Sequence, residues 1–312
     1  MKPKSRSKEI SVIISAYSTQ QLVDVKRCIG SLKNQTLLPQ EIILVLDSDE
    51  TLINFYRVKM PKDVKIVDSN GIGLSNARNV GIKNATGEFV AFIDDDAYAD
   101  NEWLEHLIKN YEDAEVIGVG GFAKPLWESG RPKWFPEEID WVVGCSYKSL
   151  LKRKQTVRNP IGCNMSFRRT LFEKVGYFNA NVGRVGKKLI SGEEAAFSIN
   201  ALAKVSGSKI IYEPNAVVSH KVPRKRATIT YLMSRSYYEG FSKGLIAQFE
   251  LKNGYFLSSE NEYLRFLFTV TLPSKLKRLY SFQSIHQLLA LLASTSFVLI
   301  GFVIGRFSKN AS

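Results

Sequence analysis

Three adjacent carboxylates, Asp94, Asp95 and Asp96, close the apolar run Phe89-Val-Ala-Phe-Ile93. A run of that length and composition is a buried strand, so the aspartates stand where the chain leaves a sheet. Like charges this close have two readings. They are a solvated acidic strand end, or they hold a hard divalent cation such as Mg2+ or Mn2+, which takes oxygen ligands and shares them with a diphosphate. Other reactive types follow other apolar runs. Tyr17 offers an aromatic face to a nucleobase, and Asp47 a carboxylate to base or ribose donors; either is also ordinary at a strand end. Arg78 carries a forked cation that suits a phosphate or base, or else a surface carboxylate. Gly71 and Gly73 open a dinucleotide-type glycine pattern, but Asn76 stands where its third glycine belongs.

These residues need a scaffold that gathers strand ends. From Ile10 to Phe122, short β-rich runs alternate with segments of helical period, which indicates an α/β fold with a mostly parallel sheet flanked by helices. The expected strands are Ser11–Ser15, Glu41–Leu46, Val64–Val67, Glu88–Ile93 and Glu115–Val119. Between the first two, Leu22, Val25, Cys28, Ile29 and Leu32 recur at helical spacing before Asn34 and Pro39, which makes that segment a crossover helix. In open sheets of this kind ligands collect beyond the carboxyl ends of the strands, where Tyr17, Asp47, the Asp68–Gly73 loop and the three aspartates all fall.

The chain has 312 residues, and its 43 Lys and Arg against 30 Asp and Glu leave a net charge of +13. Such a balance favours an anionic partner: a nucleotide, a phosphorylated lipid or a membrane surface. Nucleic acid is set aside, because no basic helix, zinc-finger spacing or aromatic binding signature accompanies the charge. Cys28, Cys145 and Cys163 are widely spaced and form no Cys-x-x-Cys, so neither a disulfide framework nor a zinc site is suggested and a reducing compartment fits. Residues 1–9 read as a basic solvated tail, since the apolar run after them is too short for a signal peptide.

A first strand ending in Tyr17, a second ending in Asp47, then Gly71-Ile-Gly-Leu-Ser-Asn-Ala-Arg-Asn-Val-Gly81 and Ala85-Thr-Gly-Glu-Phe-Val-Ala-Phe-Ile-Asp-Asp-Asp96 together resemble glycosyltransferase family 2. The resemblance runs from about Ile10 to about His220 and implies a GT-A type domain, over residues 10–243, that uses a nucleotide-sugar donor. It implies nucleotide contacts from Ser15, Tyr17, Asp47, Arg78, Asp94 and Asp95, and a Mg2+ or Mn2+ ion held by Asp96 and His220. In one place the sequence departs from the family, whose second strand commonly ends in two acidic residues; Leu46 occupies the first of them here.

The acidic pair Glu193-Glu194 opens a helical pattern, where a carboxylate often only complements the helix dipole. The resemblance implies that the second member, Glu194, is the general base of an inverting displacement, with Glu193 as the fallback. The turn Asn159-Pro-Ile-Gly-Cys-Asn164 falls where the family contacts donor sugar and acceptor, which points to Gly162 and Asn164. Trp134 lies in an aromatic-rich stretch that either packs internally or stacks on a pyranose ring or lipid. Arg224 and Arg226 belong to a basic cluster after His220, either a solvated face or a loop that closes over a diphosphate or an acceptor phosphate. The stretches Trp127–Tyr147, Asn159–Phe167, Gly183-Arg-Val-Gly186 and Ser219–Pro223 further resemble archaeal glucosyl-dolichyl-phosphate glucuronosyltransferases, which implies UDP-glucuronate as donor. Arg158 or Arg184 would then supply the fork for the sugar carboxylate. The rival expectations are a polyprenyl-phosphate monosaccharide synthase using UDP-glucose or GDP-mannose, and a membrane-anchored nucleotide binder without catalysis.

Residues 244–283 mix large apolar and basic groups, as an interfacial segment does, with Pro273, Lys275, Lys277 and Arg278 close together. Residues 288–305 carry no charge, so 284–306 are expected to form one transmembrane helix followed by a short tail at 307–312. More Lys and Arg precede it than follow it, which puts the catalytic domain in the cytoplasm, attached to the cell membrane. Gly301-x-x-x-Gly305 would let two copies pair through this helix.

Overall fold

The computed structural model describes residues 9–147, 153–179, 192–250 and 258–308. In chain order the elements are β1 (Ile10–Ala16), α1 (Leu22–Lys33), β2 (Glu41–Leu46), α2 (Glu50–Lys59), β3 (Val64–Asp68), α3 (Leu74–Asn84), β4 (Phe89–Ile93), β5 (Ala97–Ala99) and α4 (Trp103–Lys109). Then follow β6 (Val116–Trp127), β7 (Gln155–Val157), β8 (Asn164–Arg168), α5 (Arg169–Val175), α6 (Glu193–Lys204), β9 (Lys209–Val222), α7 (Ile229–Glu250), α8 (Ser258–Phe266), α9 (Leu272–Leu276) and α10 (Phe282–Phe307).

The strands build one nine-stranded sheet in the order β3-β2-β1-β4-β8-β6-β9-β5, with β7 pairing β9. The first four are mutually parallel, as the alternating pattern requires, and β8 then enters antiparallel to both β4 and β6. The α/β fold is as expected, and the sheet is mixed beyond β4. Its strands are apolar on both sides because both sides are covered. Val12, Ile14, Leu44 and Ala91 face α1, α2 and α4 through Val25, Leu32, Tyr56 and Trp103. Ile13, Ile43, Val90 and Phe92 face the other layer through Ala77, Phe172 and Phe197. Gly81 lets α3 lie close on β1, since a Cβ there would stand 2.6 Å from Cγ2 of Ile13. All five expected strands are present; β6 runs on to Trp127, and α1 buries Val25, Cys28, Ile29 and Leu32.

The register does the work of bringing the site together. β4 ends at Ile93, the chain turns through the aspartates, and β5 then pairs antiparallel to β9 with Ala97 opposite His220. The backbone N–H of Lys221 donates to the carbonyl of Asp96 at 2.9 Å and fixes this corner.

The aromatic stretch after β6 is mostly internal packing. Phe135, Ile139 and Val142 are buried with Leu232 of α7 and Ala290 and Leu291 of α10, and Trp127, Trp134 and Trp141 pack around them. The helices α7 and α10 lie side by side and run in the same direction. Ser236 and Ser294 share a hydrogen bond at 2.9 Å near one end, and at the other Gln248 Nε2 donates to the carbonyls of Gly305, Arg306 and Ser308. Gly301 and Gly305 press against the backbone of Tyr237 and Phe241, so the glycine pair expected to join two copies is occupied inside the chain. α7 also runs unbroken through residue 243, where the catalytic domain was expected to end.

Candidate active site

The site forms where the β4–β5 turn, β9, the loop before β8 and the start of α6 meet. His220 is buried, and its Nε2 lies 3.3 Å from Asp96 Oδ1 and 3.8 Å from Asp94 Oδ2. Its Nδ1 is 3.5 Å from the Cys145 thiol, which orients the ring so that Nε2 faces the aspartates. Gly144, at φ +82°, passes so close to the ring that a side chain there would meet Cε1 at 3.1 Å. Burial alone would lower the pKa of His220, but the adjacent Asp96 carboxylate outweighs it and holds it well above the ordinary value.

Donor atoms of Asp94, His220 and Cys163 lie within 4.8 Å of one another, and Asp96 Oδ1 lies 3.3 Å from the imidazole Nε2. Such separations suit ligands around one ion bonded at roughly 2.0–2.4 Å. Two carboxylates and an imidazole fit a divalent cation such as Mg2+ or Mn2+, and the neighbouring Cys163 thiol, whose pKa burial pushes well up, is a poor ligand for so hard an ion. Asp95 turns away from this cluster. It is buried, its Oδ2 has no hydrogen-bond partner among the described residues, and burial and the flanking Asp96 and Asp94 push its pKa well up. Arg226 points in from the loop after β9, 3.9 Å from Asp96, and donates to the Val143 carbonyl.

Across from the aspartates, Arg78 of α3 is buried and its fork is filled by protein. It donates to Glu193 at 2.7 Å, to the Gly162 carbonyl at 2.9 Å and to Asp94 at 3.4 Å. This guanidinium, expected at a phosphate or base, ties α3, α6 and the pre-β8 loop to the aspartate corner. The same bond engages Glu193, the fallback base, in a buried ion pair. Glu194 is left partly exposed to the site, beside Gly162, whose added Cβ would come 3.7 Å from the Glu194 carboxyl carbon. Burial and the neighbouring Glu193 push Glu194 up to about 8, despite Arg78. Gly192, at φ +101°, opens the helix that carries this pair.

Tyr17 is 68% exposed at the end of β1, with Ser15 half-buried before it. Asp47, at the end of β2, has its pKa raised by burial although the Gly73 N–H donates to it.

Of the residues expected at the sugar or acceptor, the side chains of Asn164, Arg158 and Trp134 are engaged within the protein. Asn164 is fully buried, accepts from the Trp103 indole and donates to the carbonyls of Phe122 and Ala216, so it has no group left for a hydroxyl. The Arg158 fork holds Glu260 of α8 at 2.6 and 3.0 Å. Trp134 packs in the aromatic cluster, whereas Arg224 is exposed and Glu128 accepts only from its backbone N–H. Arg184 lies outside the described residues. Cys163 and Cys145 escaped sequence reading because only the fold brings two unspaced thiols to one histidine.

The family model for glycosyl transferase family 2 matches residues 11–176. The glucosyl-dolichyl phosphate glucuronosyltransferase of Haloferax volcanii is 32% identical over 311 residues, covering 97% of each chain. The succinoglycan biosynthesis protein ExoM of Rhizobium meliloti is 26% identical over 246 residues, or 75% of this chain and 74% of its own. Among solved structures, the mannosyltransferase PcManGT from Pyrobaculum calidifontis, in complex with GDP-Man and Mn2+, superposes with a TM-score of 0.60. It is 16% identical and covers 97% of this chain and 88% of its own, a likeness of fold.

Proposed function

Because this chain belongs to glycosyltransferase family 2, we propose that it transfers glucuronate from UDP-glucuronate, with inversion, to a lipid-linked acceptor such as glucosyl-dolichyl phosphate at a membrane. The observation that carries this reading is the likeness to the Haloferax enzyme over 97% of both chains, which takes in the helical unit α7–α10 beyond the family match.

Asp94, Asp96 and His220, with Cys163 beside them, would hold the cation, which supplies neutralising charge to the departing diphosphate. The oxygen-rich set suits Mg2+ or Mn2+. Glu194 accepts the proton of the acceptor hydroxyl as its oxygen bonds the anomeric carbon and the bond from that carbon to the diphosphate breaks, the electron pair leaving with UDP. Arg78 acts as a positioning residue. By neutralising Glu193 and holding the Gly162 carbonyl, it leaves Glu194, beside Gly162, as the candidate base. Tyr17 and Asp47 flank the nucleoside, and Arg226 stands over the phosphates. With Arg158 committed to Glu260, the fork for the sugar carboxylate falls to Arg184, and Arg184→Lys should lose discrimination between UDP-glucuronate and UDP-glucose. The catalytic domain works on the cytosolic face, where nucleotide sugars are made.

The test is transfer to glucosylated and to bare lipid phosphate from each donor. Glucuronate appearing only on the glucosylated lipid supports the reading; glucose or mannose on bare lipid phosphate would replace it with a monosaccharide synthase.

A further inference from the structure

Length and composition would let α10 cross a membrane, since its 26 residues have a mean hydropathy of 2.4 over the best window. Its packing points elsewhere. At Ala290 and Leu291 it is buried against Phe135 and Val142 of the catalytic domain, and Gln287 donates to the Lys133 carbonyl. Further along, its Gly301 and Gly305 face presses on α7, whose own Gly240 and Gly244 sit against the backbone at Val298 and Phe302. α7 is not a lipid-facing partner there. Its Ile246 packs on Ile199 of α6, and its Lys243 bonds Glu260, the carboxylate that Arg158 of the domain holds. The pair α7–α10 therefore lies along the domain from Leu232 to Ile246 on α7, roughly 21 Å at 1.5 Å per residue. A helix bound sideways to a folded domain over that length has no free stretch of about 20 residues to place across hydrocarbon.

The opposite side of α10 is an apolar stripe interrupted by exposed His286 and Ser296. Leu289, Leu292, Leu299, Ile300, Val303 and Ile304 are each between 47% and 59% exposed, and Phe282 and Phe307 at its ends are 82% and 79% exposed. The stripe runs the length of the helix, about 39 Å for 26 residues. It carries no acidic residue, and Lys277 and Arg278, both exposed, stand beside its start with Leu276, Leu279 and Tyr280. An apolar strip with cations at its start is complementary to an anionic lipid surface.

We propose that α10 is an in-plane anchor: it lies flat in the interfacial layer of an anionic membrane, its exposed stripe in the acyl boundary and α7 against the catalytic domain. The membrane is thereby kept one helix away from the base, because Ile246 of α7 also touches Gly192, where its Cδ1 would stand 3.0 Å from an added Cβ. A lipid-linked acceptor then reaches Glu194 from the side, without leaving the surface. The proposal rests on the lipid-linked reading for its choice of occupant, and its test reads position rather than turnover, so either can fail alone.

Ser281→Cys and Ser308→Cys bracket α10, and Thr19→Cys marks the side of the catalytic domain; the native thiols are buried and give little background. Full-length variants in sealed vesicles of both orientations are treated with a membrane-impermeant maleimide. All three sites labelling from one face is the expected result, and Ser308→Cys reachable only from the opposite face overturns the proposal. In a second arm, purified protein is floated with phosphatidylcholine vesicles containing phosphatidylglycerol. Leu299→Glu with Val303→Glu should weaken binding about tenfold or more. Native protein that fails to float, or that hides the stripe in a stable dimer, also overturns it.

Discussion

At the scale of single residues, Glu194 carries the sharpest expectations. Replacing it with Gln should lower turnover by about 10²–10⁴ while donor affinity is kept, as befits a base acting only in the transition state. Equal loss of affinity by calorimetry would point to a binding role. Because Glu194 sits up at about 8, kcat/KM should rise with pH through a limb near that value as the carboxyl loses its proton; a flat profile from pH 6 to 9 contradicts the assignment. The same shift acts on stability. A carboxyl with an unfolded pKa of about 4.3 and a higher folded one binds its proton more tightly when folded, so stability falls as pH rises between the two. Glu194→Gln removes that loss, and its Tm should exceed that of the native protein at pH 8 by more than at pH 5. An equal difference at both would count against the buried carboxyl. Arg78→Met should cost about 3–5 kcal/mol in urea unfolding by leaving Glu193 buried and uncompensated, and Glu193→Gln in the same chain should restore part of it. The three aspartates were visible in the sequence because a run of carboxylates directly after an apolar strand is unusual, and Glu194 because of its place in the family resemblance. The partner of Arg78 was not, because Glu193 lies 115 positions away and only tertiary packing joins them.

At the scale of elements, close backbone approach is what holds the C-terminal pair. A Cβ on Gly301 would fall 2.0 Å from the Tyr237 carbonyl and one on Gly240 1.9 Å from that of Val298, so Gly301→Val should destabilise the helix pair by about 1–3 kcal/mol or more. Thermal unfolding in detergent measures it. Gly30 of α1 meets nothing within 4 Å, so Gly30→Ala should instead stabilise, by roughly 0.5–1 kcal/mol. If both variants unfold like the native protein, the close packing of α7 on α10 is not what the structure depends on. The parallel half of the sheet was legible because period and composition mark buried strands. The antiparallel entry of β8 was not, since a five-residue strand can pair either way and only its neighbours decide. Gly301-x-x-x-Gly305 announced a helix contact correctly in kind, but a motif cannot say that its partner is an earlier helix of the same chain.

At the scale of the whole molecule, the catalytic domain and its helical unit share apolar packing and an ion ladder. Arg158 holds Glu260, Glu260 meets Lys243, and Lys243 and Arg235 flank Glu239. Such a ladder fixes orientation more than it adds stability. Seen from the sequence, Arg158 looked like a ligand for sugar because its chemistry suits one; its place in the ladder was set by α8, which sequence pattern alone could not dock. The cation expected at Asp94, Asp96 and His220 links the donor to this assembly, so a chelator should stop turnover and weaken donor binding, and added Mn2+ should restore both. Donor binding that ignores the chelator would remove the metal from the account.

The most direct measurement combines these claims. Full-length protein, UDP-glucuronate, Mn2+ and glucosylated dolichyl phosphate are incubated, and the lipid product is analysed for mass and for anomeric configuration. The expected product gains one glucuronate with the configuration opposite to that of the donor, and Glu194→Gln forms none of it. Retained configuration, or equal product from the Gln variant, would contradict single displacement by Glu194.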